Sequence, residues 1–152
     1  MSDSIRVYFD ICCYNRRFDD KSIGEISLEY RDMIEIQKEI VRGNIELVTS
    51  FMLHYENYQK KDIRKRNNID FFIKNYRKIY IGIENNEKLT EEVKIIVKSG
   101  IKEKDAYHIA SAILADCDYF VTVDKRLLKF SNDKIKIINI IDFMEVYKNG
   151  KA

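Results

Sequence analysis

The chain has 152 residues, with 27 Lys+Arg against 25 Asp+Glu, a formal charge of +2. That length suits one ordinary domain, and the near balance of charge excludes both a polybasic tail gripping nucleic acid by charge alone and an acidic disordered chain. Hydrophobic residues at 45% and aromatics at 12% suffice for a real core, while no proline and five glycines exclude collagen-like and Pro-rich linker readings.

Ile5–Phe9 is short, apolar and β-rich and runs into Asp10, as a buried parallel strand does when its end faces a functional crevice. After a polar loop, NRRFDDKS, the residues Ile23, Ile26, Tyr30, Met33, Ile34 and Val41 recur at helical spacing, and Arg42-Gly43-Asn44 stops the helix. Glu46–Thr49 reads as the second strand and Ser50 as a helix N-cap, with Met52, Leu53 and Tyr55 on the apolar face behind it. Lys60–Ile63 is read as carrying that helix into a basic stretch. Asp70–Tyr80 reads as helix, with Ile79-Tyr80-Ile81 open to a strand reading. Glu91–Ser99 is a helix stopped by Gly100, and Lys102–Ala115 is amphipathic, burying Ala106, Ile109, Ala110, Ile113 and Leu114. Asp118–Val123 is a strand running into Asp124, Ile135–Ile140 the last strand and Asp142–Lys148 the last helix. Strands separated by helices imply a parallel sheet covered on both faces, so the expected fold is α/β, a three-layer α/β/α sandwich forming one domain over residues 1–152.

Cys12, Cys13 and Cys117 are odd in number and two are adjacent, which argues against a disulfide framework; no Cys-x-x-Cys or Cys/His cluster suggests structural zinc. The opening MSDSIRVYFD puts charge where a signal peptide needs an apolar run, and no stretch approaches the roughly 20 apolar residues of a membrane span. A cytoplasmic location without membrane association is therefore expected.

Function in such a sheet sits at the carboxyl ends of the strands. Asp10 and Asp124 follow strands, Glu56 shares the helix face of Met52 and Leu53, and Asp105 lies in the first turn of an apolar-striped helix. Singly, each has an ordinary reading as turn residue, cap, solvated first-turn acid or snorkelling side chain. Together they can converge on one sheet edge, where packed carboxylates stay ionised only beside a cation. Oxygen donors suit Mg²⁺ or Mn²⁺, and such a site is built for phosphoryl chemistry.

VYFDICCYNRRFDD resembles the opening strand and loop of PIN-domain ribonucleases, TSFMLHYE the segment carrying their intervening glutamate, and GIKEKDAYHIASAILADCDYFVTVDKRLLK their second signature, an acid-x-x-His-x-Ala helix followed by a strand ending in Thr-x-Asp. The resemblance implies a PIN-like fold and an Mg²⁺- or Mn²⁺-dependent endoribonuclease of the VapC-like toxin type. Its metal-binding and catalytic acids would be Asp10, Glu56, Asp105 and Asp124, with Thr122 and Asn15 supporting the site. It also implies an RNA substrate, a homodimer and a small antitoxin protein as partner. Two points depart from the family pattern or leave it open: Ile11, followed by Cys12, stands where a hydroxyl residue often follows the first aspartate, and Glu46 competes with Glu56 if the second strand is misplaced.

His108, three residues after Asp105, reads as a packing and hydrogen-bonding residue, and His54 as an exposed helix residue. Arg16 and Arg17, close to Asp10, are candidates for meeting a scissile phosphate. The cationic run Lys60, Lys61, Arg64, Lys65, Arg66, with Phe71, Phe72 and Tyr76 behind it, suits RNA or is a solvated helix face. A receiver-like phosphoacceptor would need an aspartate after the mid-chain strand, and Leu47–Ser50 ends without one. A non-catalytic PIN-like module that holds RNA or protein without cutting is the alternative function.

Overall fold

The computed structural model describes residues 4–150. Five parallel strands, β1 (Ile5–Phe9), β2 (Ile45–Ser50), β3 (Arg77–Ile81), β4 (Tyr119–Val121) and β5 (Lys136–Ile138), form one sheet in the order β3-β2-β1-β4-β5. Helices α1 (Ile11–Asn15), α2 (Gly24–Val41), α3 (Phe51–Tyr58), α4 (Ile63–Tyr76), α5 (Glu87–Lys98), α6 (Glu103–Leu114), α7 (Lys125–Leu128) and α8 (Ile140–Gly150) connect and cover it. No helix among the described residues is long and apolar enough to cross a membrane.

β1 is the central strand, pairing Val7 with Leu47 on one side and with Tyr119 on the other. Val7, Tyr8 and Phe9 have no exposed surface, because successive side chains of a strand point to opposite faces and both faces here are covered. Tyr8 meets His108 of α6 edge-on at 5.6 Å, whereas Phe9 meets Phe143 of α8 at 5.9 Å. α6 and α8 therefore lie on opposite sides of the sheet, giving the three layers expected; α2 packs beside α8, and α5 beside α6. Gly43 and Gly100, at φ +85° and +100°, take the left-handed backbone that follows α2 and α5, which glycine adopts without a Cβ clash.

The strand order decides where a ligand can enter. The chain steps outward from β1 to β2 to β3, then returns to lay β4 on the other side of β1. The crossovers thus diverge between β1 and β4, opening a crevice beyond their carboxyl ends.

Several local expectations are corrected. Ile11–Asn15, between the first strand and the rest of the polar loop, is helix α1, capped by Asp10, and the loop NRRFDDKS continues from it with a 3₁₀ turn at Arg16–Phe18 before becoming irregular. α3 ends at Tyr58 instead of continuing through Lys60–Ile63; Asp62 then accepts from the N–H groups of Arg64 and Lys65 and starts α4 afresh. The helix read over Asp70–Tyr80 stops at Tyr76, and Arg77–Ile81 is edge strand β3, with alternating half-buried and exposed residues. The strands β4 and β5 are also shorter than read, at three residues each.

Candidate active site

Asp10 leaves β1 as the N-cap of α1 and is 6% exposed. Its Oδ1 accepts the Ile11 N–H at 2.8 Å and its Oδ2 the Thr122 hydroxyl at 2.9 Å. Thr122, one residue beyond β4 and without exposed surface, also accepts the Asp124 N–H at 3.1 Å. One hydroxyl thus ties the ends of the two strands that flank the crevice. Cys12 Sγ lies 3.5 Å from both Asp10 Oδ2 and Thr122 Oγ1, filling space beside the carboxylate that Ile11, packed on the core, does not enter.

Glu56 reaches the same place from α3, whose start is fixed by Ser50 accepting the Leu53 N–H. Its Oε1 is hydrogen-bonded to Nε2 of His108, a residue with no exposed surface. His108 Nδ1 lies 2.6 Å from the Tyr8 hydroxyl, which lies 2.7 Å from Ser50 Oγ. Burial pushes the imidazole down, but the Glu56 hydrogen bond, then the charges of Asp10, Glu56 and Asp105, raise it above its ordinary value. Burial pushes the Glu56 carboxyl up, and the hydrogen bond and charge of His108, with Lys104 and Lys60, bring it below the usual range. Both shifts run in the direction that favours an ion pair between the imidazole and the carboxylate. Ser50, Tyr8 and His108 thus form a buried hydrogen-bonded chain that ends on Glu56.

Asp10, Glu56 and His108 each present a ligand atom within 4.8 Å of the others, and Asp105 and Asp124 fall outside that group. They are not remote from it. Burial raises the Asp105 carboxyl, and next the charge of Asp10, with Asp124 and Glu56 adding to it against His108. Asp124 caps α7, its Oδ1 accepting the Arg126 N–H at 2.9 Å, so the ordinary capping role and a place at the sheet edge coincide. Glu46 lies toward the opposite end of β2, paired with Arg6 at 3.1 Å.

A carboxyl raised by burial and by neighbouring carboxylates, as Asp105 is, fits a hard divalent cation, whose charge relieves the repulsion. His108 Nε2 is engaged by Glu56, so in this arrangement the imidazole orients a carboxylate and would leave oxygen donors to hold an ion. His108 is the site member for which the sequence reading saw only packing and hydrogen bonding; its position one helical turn after Asp105 was the available signal.

Other expected residues lie differently. Arg16 is held by Glu29 at 2.8 Å and Asp19 at 2.6 Å, which fixes its guanidinium in an internal ion-pair network. Arg17 is exposed and donates to Asn68 at 3.3 Å. Asn15 ends α1, and its side chain makes no capping hydrogen bond. His54, expected on the surface, is buried: its Nε2 accepts from Arg77 at 2.9 Å, and β3 with Tyr80 covers it. Of the aromatics behind the basic run, Phe71 is 66% exposed, while Phe72 packs against Tyr14 and Tyr76.

No protein-family model and no curated protein matches the chain. Solved structures do. VapBC2 from Rickettsia felis, bound to a DNA fragment from its promoter, superposes with a TM-score of 0.55 at 16% identity, over 89% of this chain and 98% of that one. VapBC-1 from nontypeable Haemophilus influenzae superposes with a TM-score of 0.52 at 14% identity, over 90% and 98%. At such identities the likeness is one of fold. With its five-stranded parallel sheet between helical layers, the chain has the PIN-like fold of these VapBC structures.

Proposed function

We propose that the chain is a metal-dependent endoribonuclease of the toxin type, partnered by a small antitoxin protein. The observation that carries the proposal is the meeting of Asp10 and Glu56 at the β1/β4 crevice, each carboxylate oriented from behind by a buried group, Thr122 and His108. The likeness to VapBC toxin–antitoxin complexes supports the toxin and partner reading. Homodimerisation and a cytoplasmic location belong to the same proposal.

Asp10, Glu56 and Asp105 would hold Mg²⁺ or Mn²⁺, with Asp124 at the margin of the site. When bound, such an ion supplies an activated water and stabilises the leaving oxygen of a phosphodiester. The protein's own contribution is preorganisation. Thr122 fixes one oxygen of Asp10 by donating to it, and the His108 imidazole fixes one oxygen of Glu56, leaving the second oxygen of Glu56 for a ligand. Tyr8 and Ser50 keep His108 in register, so both carboxylates are set before substrate arrives.

The test is cleavage of a labelled RNA pool with Mg²⁺, with Mn²⁺ and with excess EDTA, beside the Asp10→Asn chain. Cutting that requires metal and disappears in the variant is expected. Cutting that persists in Asp10→Asn at the wild-type rate, or no cutting in either metal by a folded chain supplied with diverse RNA, would overturn the proposal.

A further inference from the structure

A cavity of about 280 Å³ is lined by Asn15, Phe18, Asp19, Lys60, Lys61, Asp62 and Lys65. It sits where α1 and the 3₁₀ turn face the link between α3 and α4, so its two walls lead back to Asp10 and Glu56. Its two acids are already engaged: Asp19 by Arg16 at 2.6 Å, and Asp62 by the N–H groups of Arg64 and Lys65 at 3.1 and 3.2 Å. Its three lysines are not. Among the described residues Lys60, Lys61 and Lys65 make no side-chain hydrogen bond or ion pair, and Lys65 Nζ stands 5.6 Å from the Phe18 ring centre. Burial lowers Lys60, while the charges of Asp19 and then Glu56 raise it against Lys65, and Cys12, next to Asp10, adds to them.

We propose that this cavity is the subsite for the single-stranded RNA segment that flanks the scissile phosphate, with Lys60 and Lys65 taking backbone phosphate and Phe18 and Asn15 meeting the base. The inference rests on the nuclease reading for the word scissile, but not for the binding itself. Its chemistry is that of single-strand recognition, a positively charged groove with an aromatic face, here joined by an amide. It also reassigns the cation expected to meet RNA. Arg16 is neutralised internally, whereas Lys60, outside the opening signature, is both half-buried and unpaired.

The experiment is fluorescence anisotropy of a short, labelled, random single-stranded RNA with the full Asp10→Asn chain in Mg²⁺, where cutting is suppressed, across a salt series. Removing two phosphate contacts in Lys60→Gln/Lys65→Gln is expected to weaken binding at least about tenfold and to flatten the log–log salt slope by about 1.4. Phe18→Leu is expected to weaken binding about five- to tenfold without changing the slope. Lys94→Gln, exposed on α5, serves as the distant control. Lys60→Gln alone should give part of the loss, and Lys60→Arg should keep the salt slope of the parent chain. Urea midpoints confirm that the variants fold. Binding by the double variant with unchanged affinity and slope would overturn the subsite, as would no RNA binding by the parent chain. The two proposals fail separately. RNA held through Lys60 but never cut by the wild type defeats the nuclease reading alone, and normal cutting by Lys60→Gln/Lys65→Gln with undiminished binding defeats the subsite alone.

Discussion

Thr122→Val is the sharpest probe of how the site is built, because valine keeps the shape of threonine and removes only the hydroxyl. That hydroxyl donates to Asp10 Oδ2 at 2.9 Å and accepts the Asp124 N–H at 3.1 Å, with Cys12 Sγ 3.5 Å away, at a position with no exposed surface. Losing a hydrogen bond to an ionised carboxylate costs about 1.5–3 kcal/mol, and orphaning a backbone N–H about 1–3 kcal/mol. Asp124 is partly exposed, so water can reach its N–H and the second loss falls at the low end. The expected destabilisation is about 2–4 kcal/mol. Asp10 keeps the Ile11 N–H but is free to turn, so affinity for Mn²⁺ should fall about 10- to 100-fold, as when an outer partner of a metal ligand is removed. Thr122→Ser, which retains the hydroxyl, should keep most of both. Urea unfolding in EDTA gives the stability and calorimetric titration of Mn²⁺ the affinity. A Thr122→Val chain that loses less than about 0.5 kcal/mol and binds Mn²⁺ like wild type would refute the claim that this hydroxyl sets the carboxylate.

Three further outcomes follow from the same structure. Tyr8→Phe leaves His108 Nδ1 buried without its partner and should cost about 1–3 kcal/mol in urea unfolding; a neutral effect would show that the Ser50–Tyr8–His108 chain is not a working network. Asp105→Asn removes a carboxylate raised by burial and by Asp10, so in EDTA at neutral pH the variant should have a higher urea midpoint than wild type, with the order reversing in excess Mn²⁺. The folded value lies above the unfolded one, so the wild type without metal loses this contribution as pH rises through the Asp105 titration, and a variant with the same pH profile as wild type would contradict it. His54 is lowered by burial first and by Arg77 next, against Asp70; its contribution is complete above its ordinary value of 6.5 and is lost as pH falls through that value toward the lowered one. His54→Gln should therefore cost more stability at pH ~7.5 than at pH ~5.5, and an equal cost at both would refute the shift.

What the sequence determined by itself is what local pattern controls. The apolar run of β1 ending at Asp10, the 3.6-residue stripe of α6, the Ser50 cap and the strand–helix alternation from α6 onward follow from propensity and burial along the chain, and the structure has them. The boundaries between α3, α4 and β3 were illegible because β3 is an edge strand whose alternating exposure matches no continuous apolar run, and because a basic stretch carries no period. Only the tertiary structure decided which charges meet. Arg16 stands six residues after Asp10 in the chain, but a buried Glu29 thirteen residues further on takes its charge. His54 looked like a surface residue until β3 covered it with Arg77 and Tyr80. His108 and Glu56 lie 52 residues apart and meet because α3 and α6 pack on β2 and on each other. An acid at a strand end is written locally, whereas the partner that orients it depends on which elements the sheet brings side by side, and that is set by burying apolar surface across the whole fold.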